Sequence, residues 1–409
     1  MHRLALLTAV LAATACGGST AVEPRTQPVV IDALPRALSA SEQKLVNAAN
    51  DFSFSLFRQL SAAQKDSNVF TSPLSASMAL GMTMNGAAGP TLSQMQSTLG
   101  FANASEAEIN DGYKSLISLL RGLDASVDFR IANSIWYRNG FPVNQTFVDA
   151  SRNFFDAQVT ALDFSSPSSV TTINNWVSTA TAAKIPRILD AIESDQVMFL
   201  INAIYFKGSW RDKFDRAETT DASFHGIAGD QPMKLMHRNG KTRMLYATDY
   251  AAVDLPYGNS AFTMSVVLPH AGVNVNTVAA SLTATSWATL AAQFRESSGD
   301  VYLPRFKLEW ERTLNDDVKS LGMRDAFIPD GADFTRMSPL GKMLYISVVK
   351  QKTYVDVNEE GTEAAAVTNV GISATSAPPS FRVDRPFIFV IRERLSGTIV
   401  FMGKIVRMP

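Results

Sequence analysis

The stretch that decides the fold reads Glu359-Glu360-Gly361-Thr362-Glu363-Ala364-Ala365-Ala366, and most of its residues are small. Before it, apolar and polar residues alternate from Val349 to Asn358, which predicts a strand with one buried face. After it, the apolar run from Pro386 to Ile391 predicts a second, buried strand. The roughly twenty residues in between form a loop, and a loop of that length inside a compact domain is usually functional.

The even-numbered positions of this loop are suited to burial. If the segment were extended, one face would carry only small or β-branched side chains, namely Thr362, Ala364, Ala366, Thr368 and Val370. Glu363 would then point to the solvent side. Because alanine favours helix, a helical turn or a flexible linker is an equally open interpretation of the alanine run by itself.

This stretch and its surroundings resemble the serpins. The hinge sequence is followed by a loop, by Arg385-Pro386-Phe387-Ile388-Phe389 and by a closing Phe401-Met402-Gly403-Lys404-Ile405. Other motifs follow the serpin order, including Asn68-Val69-Phe70-Thr71-Ser72-Pro73, Thr172-Ile173-Asn174-Asn175-Trp176-Val177, Leu200-Ile201-Asn202-Ala203, Leu255-Pro256-Tyr257 and Leu303-Pro304-Arg305-Phe306. Many motifs in one order are more specific than any single short pattern.

The resemblance implies an α+β serpin fold with three β-sheets and eight or nine helices. It also implies an exposed reactive-centre loop, at about residues 359–380, that can insert into the central sheet. No linker-like composition follows Ser41, so residues 41–409 are expected to form a single domain.

A serpin is expected to inhibit serine endopeptidases as a suicide substrate. The protease would form an acyl-enzyme on the loop, and the freed loop would insert as a new central strand and trap it. Counting against the family pattern from Glu359 and from Pro386 places the reactive bond at Thr375-Ser376, with Ile372 and Ala374 as alternative positions. A small residue before the bond favours elastase-like or subtilisin-like targets. Trypsin-like targets are disfavoured because residues 362–381 contain no Lys or Arg.

Two alternative functions keep the same fold. The first is a non-inhibitory serpin that acts as a binding protein, and the second is an inhibitor of papain-like cysteine proteases. Charged, bulky or proline residues on the inserting face would indicate a non-inhibitory serpin. The even-numbered residues from 362 to 368 are all small, which favours an inhibitor.

The resemblance also implies roles for supporting residues. A hydrogen-bonded cluster where the central sheet parts is expected from Ser72, Ser75, Asn174 and Asn202, with Trp210 above the insertion point. Glu359 and Arg305 match an ion pair at the top of the sheet. Gln351 stands where many serpins have histidine, and its amide can bridge donors and acceptors but cannot titrate.

Composition and motifs argue against an enzyme and against a nucleic-acid-binding protein. The chain is 46% hydrophobic and has a formal net charge of -1, so it has no electrostatic bias towards nucleic acid. Its four histidines form no His-Glu-x-x-His pair, and it contains no Gly-x-Ser-x-Gly elbow. No metal or cofactor is expected. Residues 90–108 contain no Lys or Arg, so we expect no heparin-like activator, and we expect a monomer.

The N-terminus predicts export. Met1-His2-Arg3 is a basic start, an apolar stretch follows, and residues 1–15 resemble a bacterial lipoprotein signal that ends in Ala13-Thr14-Ala15. Cys16, the only cysteine, would then carry the lipid, and residues 16–40 would be a flexible tether. The protein is expected at the outer membrane, in the periplasm or at the cell surface. Ordinary cleavage near Ala15 would give a secreted protein instead.

Overall fold

The computed structural model describes residues 27–362 and 380–409. Within these residues there are nine α-helices, whose bounds are α1 (Ala40–Ala63), α2 (Pro73–Met84), α3 (Gly89–Thr98), α4 (Glu106–Gly122), α5 (Gln145–Phe155), α6 (Pro167–Ala180), α7 (Val275–Ser281), α8 (Ala284–Gln293) and α9 (Asn315–Ser320). No helix in this part of the chain is long and apolar enough to cross a membrane.

The same residues form fourteen strands. Their bounds are β1 (Val69–Thr71), β2 (Val127–Arg138), β3 (Ala157–Leu162), β4 (Met198–Ser209), β5 (Asp215–Gly226), β6 (Gly229–Tyr246), β7 (Tyr250–Pro256), β8 (Phe262–Pro269), β9 (Arg295–Thr313), β10 (Lys350–Asn358), β11 (Gly361–Thr362), β12 (Ser380–Arg382), β13 (Phe387–Glu393) and β14 (Ile399–Ile405). The predicted α+β class is confirmed.

The long strands β6 and β9 pair with each other and thereby connect the strands into one continuous hydrogen-bonded order. The central part of this path runs β3-β2-β4-β11-β10-β9, and the part behind it runs β1-β14-β13-β8-β7-β6. Residues 306–313 of β9 pair with β10, whereas residues 295–305 pair with β6. The expected sheets are therefore continuous with one another, because β9 is long enough to take different partners along its length.

Helices cover both faces of the central strands. α2 is buried along almost its whole length, and it begins at the N-cap Ser72, whose Oγ accepts from the backbone N–H of Ser75 at 3.4 Å. α6 contacts β2 and β4 on the other face, where Trp136, Ile173 and Phe199 belong to a separate small hydrophobic core. A strand added beside β4 would therefore lie between two packed layers.

Part of the predicted tether lies against the domain. The backbone N–H of Ile31 donates to the carbonyl of Asn259 at 3.0 Å, and Leu34 and Leu38 pack against the main core. Residues 27–39 thus contact the body of the protein through a few partly buried apolar side chains, while the flexible tether of residues 16–40 stays a prediction. Residues 16–26, including Cys16, lie outside the described residues.

The end of α6 carries backbone strain. Ala182 and Ala183 have φ values of 49° and 63°, in the left-handed region that L-residues with a side chain disfavour. Hydrogen bonds hold this turn, since the N–H of Ala183 donates to the carbonyl of Ser178 at 2.7 Å, and the N–H of Ile185 donates to Thr181 Oγ1 at 3.1 Å.

We predict that Ala183→Gly stabilises the protein by about 0.5–1 kcal/mol, because glycine adopts this conformation without a Cβ penalty. The measurement is the urea concentration at the midpoint of unfolding, compared between variant and wild type. As a control, Ala150→Gly in the middle of α5 is expected to destabilise by about 1 kcal/mol. An equal loss of stability in both variants would contradict the assignment of strain to Ala183.

Candidate functional site: the hinge turn and the gap between two central strands

The hinge turn, residues 358–362, ends in the two residues of the short strand β11. Asn358 pairs with Gly361 and Val357 with Thr362, so Glu359 and Glu360 form a two-residue turn between β10 and β11. On its other side β11 pairs with β4, with Gly361 opposite Ser209 and Thr362 opposite Gly208. The first two residues of the loop thus lie between the two central strands.

Gly361 is required by the close approach of β4. Its φ is 152°, and a Cβ placed on it would lie 2.1 Å from the carbonyl oxygen of Gly208 and 2.7 Å from the Cα of Ser209. Only glycine lets the two backbones come this close while the chain turns.

The side chains of Trp210 and Tyr257 bind the hinge turn. The indole Nε1 of Trp210 donates to the carbonyl of Asn358 at 2.9 Å, and its ring stacks on Tyr257 at 4.5 Å between centroids. The Tyr257 hydroxyl is 2.7 Å from Thr362 Oγ1. Burial raises the pKa of Tyr257, which keeps the hydroxyl protonated, and the side chain of Thr362 is thereby fixed on the buried face.

The two carboxylates of the hinge turn are buried and have different partners. Glu359 Oε1 accepts from Thr219 Oγ1 at 2.9 Å, whereas the predicted partner Arg305 is 3.9 Å away and half-exposed. Glu360 is only 1% exposed, and its carboxylate lies 2.7 Å from Lys213 Nζ. The closest ion pair of the turn therefore belongs to Glu360.

Below β11, the facing edges of β4 and β10 line a cavity of about 320 Å³. Residues 196–204 form one wall and residues 343–353 form the opposite wall. The N-cap Ser72 and the α2 residues Ser75, Ala76 and Leu80 also line the cavity. Within the described residues, β11 is the only strand hydrogen-bonded to both β4 and β10. The cavity has the position of a strand that would continue β11.

Gln351 joins β10 to the start of α2. Its Oε1 accepts from Thr71 Oγ1 at 2.6 Å and from the Ser72 N–H at 3.1 Å, and its Nε2 donates to the Ser72 carbonyl at 2.7 Å. Ser72 Oγ donates to the carbonyl of Val400 at 2.8 Å. The buried amide thus uses both its donor and its acceptor, as the sequence suggested for this position.

Asn202 lies across the cavity from Gln351. Its Nδ2 donates to Asn133 Oδ1 at 2.7 Å, and its backbone carbonyl accepts from Ser75 Oγ at 3.4 Å. Its Oδ1 is buried and has no hydrogen-bond partner among the described residues. A buried acceptor without a donor costs about 1–3 kcal/mol, so this atom is suited to receive a donor from a new neighbour.

Asn174 does not join this cluster. Its Nδ2 donates to the carbonyl of Leu189 at 2.9 Å, and its Oδ1 accepts from the N–H groups of Ile188 and Leu189 at 2.8 and 2.9 Å. The expected grouping with Ser72 and Asn202 is thus not seen in the hydrogen bonds, because α6 lies on the opposite face of the sheet.

Sequence reasoning gave no role in the site to Asn133, Lys213 and Thr219, and it named Tyr257 only as part of a family motif. Asn133 is a polar residue in an apolar strand, a signal that could have been noticed, but nothing local in the sequence pairs Lys213 with Glu360. Several predicted residues lie outside the described residues, namely Glu363, Ala364, Ala365, Ala366, Thr368, Val370, Ile372, Ala374, Thr375 and Ser376.

We predict that Gln351→His makes stability pH-dependent. A neutral imidazole can accept from one partner and donate to another, but a protonated ring cannot accept from Thr71 and Ser72. Burial lowers the pKa of such a histidine in the folded protein below its ordinary value near 6.5. The folded protein therefore loses stability as the pH falls from about 6.5 towards this lower pKa. Urea midpoints of variant and wild type should diverge between about pH 7.5 and 5.5. Parallel curves would show that the ring is not used as an acceptor.

Comparisons with known proteins agree with this geometry. The family model described as Serpin (serine protease inhibitor) matches residues 47–408. Mouse serpin B11 is 33% identical over 384 residues, which cover 88% of this chain and 98% of that protein. Human neuroserpin is 32% identical over 372 residues, which cover 88% of this chain and 90% of that protein.

Solved structures show the same likeness. The thermophilic serpin tengpin in its native state gives a TM-score of 0.82 at 30% identity, with 94% of this chain and 98% of that chain covered. Human thyroxine-binding globulin complexed with its ligand gives 0.83 at 27% identity, with 90% and 100% covered. The chain belongs to the serpin family, whose members are in general protease inhibitors.

Proposed function

We propose that this protein inhibits serine endopeptidases by inserting its cleaved loop as a new strand between β4 and β10. The observation that carries the proposal is the position of Gly361 and Thr362, which already pair with both strands at the top of the cavity. A loop freed by cleavage would need only to continue this ladder downwards.

The register of the hinge predicts where each loop residue would lie. Thr362 is opposite Gly208 on β4 and Val357 on β10. Continuing antiparallel by six residues places Thr368 opposite Asn202 and Gln351. Its hydroxyl could then donate to Asn202 Oδ1, which has no hydrogen-bond partner in the part of the chain that the structure describes.

The same register explains the small residues between them. Ala364 would lie between Phe206 and Val355, and Ala366 between Ile204 and Thr353. A bulky side chain at either position would overpack the layer formed by α2, at a cost of about 1–3 kcal/mol. Each ladder hydrogen bond contributes about 0.5–1.5 kcal/mol net, so a strand of roughly a dozen residues gains enough to act on a bound protease.

We assign the reactive bond to Thr375-Ser376, with Ile372 and Ala374 as alternative positions. An elastase-like or subtilisin-like protease fits the small residue before the bond.

We further propose export with a lipid on Cys16. Metabolic labelling with a radioactive fatty acid tests this, since label on the wild type and none on Cys16→Ser would support it, and no label on either would contradict it.

The inhibitory function is tested by mixing the purified protein with an elastase-like and a subtilisin-like protease. We expect a complex that survives denaturing electrophoresis and a released peptide that begins at Ser376, identified by mass spectrometry. Cleavage by both proteases without a complex would contradict the proposal. Papain-like proteases would then be tried, and a binding role would be considered because one structural relative is a globulin complexed with thyroxine.

We predict that Thr368→Val reduces the stability gained on cleavage. Valine keeps the shape of threonine but cannot donate to Asn202, so the cleaved form should lose about 1–3 kcal/mol relative to the cleaved wild type. The urea midpoints of intact and cleaved forms give this difference. Asn369→Ala, on the opposite face of the inserted strand, is the matched control. An equal effect of the two substitutions would show that the register is wrong.

A further inference from the structure

The hinge turn is docked on the segment of residues 210–219, which we call the hinge cradle. The backbone N–H of Trp210 donates to the carbonyl of Glu360 at 2.8 Å, and the N–H of Phe214 donates to the carbonyl of Glu359 at 3.0 Å. Together with the indole bond to Asn358, these contacts fix all three backbone carbonyls from 358 to 360. The conformation of the turn therefore depends on this segment.

One side chain of the hinge cradle neutralises the most buried charge of the turn. Lys213 Nζ lies 2.7 Å from Glu360 Oε2, while Arg216 Nε is 3.8 Å from Oε1 and belongs to a side chain that is 56% exposed. A buried carboxylate is expensive unless a cation and hydrogen bonds compensate it. Of these two cations, Lys213 is the closer to Glu360 and the better buried, with a side chain that is 27% exposed.

We propose that Lys213 is a positioning residue for inhibition, holding the hinge turn in the arrangement from which the loop inserts. The proposal rests on the proposed inhibitory function. After cleavage, two processes compete, since the loop can insert or water can hydrolyse the acyl-enzyme ester and release an active protease. A docked turn has already ordered the first two residues of the new strand, so it favours insertion over hydrolysis.

The first experiment measures docking without any protease. Hydrogen exchange is followed by mass spectrometry in peptides that contain the amides of Trp210 and Phe214, both of which donate to the turn. Lys213→Met should exchange there at least tenfold faster than wild type, and Lys213→Arg should stay within about threefold. Lys234→Met is the matched control, because Lys234 pairs at 2.8 Å with the exposed Asp221.

A double variant separates positioning from a general loss of packing. If the lost ion pair with the Glu360 carboxylate is the cause, replacing that carboxylate as well, in Lys213→Met with Glu360→Gln, should return the exchange rates to within about threefold of wild type. If Lys213 acts only through its packing, the double variant should exchange as fast as Lys213→Met, and the proposal is overturned.

The second experiment measures the number of inhibitor molecules consumed per protease inactivated. We expect this number to rise at least twofold in Lys213→Met and to recover in the double variant, while the rate of loop cleavage stays unchanged. Faster exchange with an unchanged number would overturn the positioning role. A wild type that traps no protease, but whose exchange responds as expected, would refute the inhibitory function and leave the docking by Lys213 supported.

Discussion

The docking of two adjacent buried carboxylates on one short segment is the constraint on which the site depends. Thr219 and Lys213 bind the carboxylates of Glu359 and Glu360, and the N–H groups of Phe214 and Trp210 donate to the backbone carbonyls of the same two residues. This turn directs Gly361 between β4 and β10. The cavity lined by the facing edges of these two strands lies below the strand that begins there.

The walls of the cavity combine apolar packing with a few polar groups. Gln351 has its hydrogen bonds satisfied by the start of α2, and this fixes β10 to the helix beneath it. Asn202 on the facing strand keeps one buried acceptor unpaired among the described residues. An arrangement that supplies a donor to this acceptor would remove a cost of about 1–3 kcal/mol, which favours the strand insertion that we propose.

The central strands are covered by a separate hydrophobic layer on each face. α2 on one face and α6 on the other belong to different hydrophobic cores, so one layer can adjust without opening the whole interior. The strained alanines at the end of α6 lie in the connection that leads towards β4. This connection is held by hydrogen bonds and not by intrinsic preference, since alanine disfavours the left-handed region.

The sequence alone determined the family, the α+β class and the hinge, because the motifs are local and their order is visible along the chain. It also indicated that Gln351 would bridge without titrating, which depends only on the chemistry of an amide. Only the tertiary structure showed that Lys213 pairs with Glu360 and that Asn133, not Asn174, pairs with Asn202. These contacts join residues that are about 70 to 150 positions apart. Their distances are set by strand register and by helix placement, which no local pattern of residue types specifies.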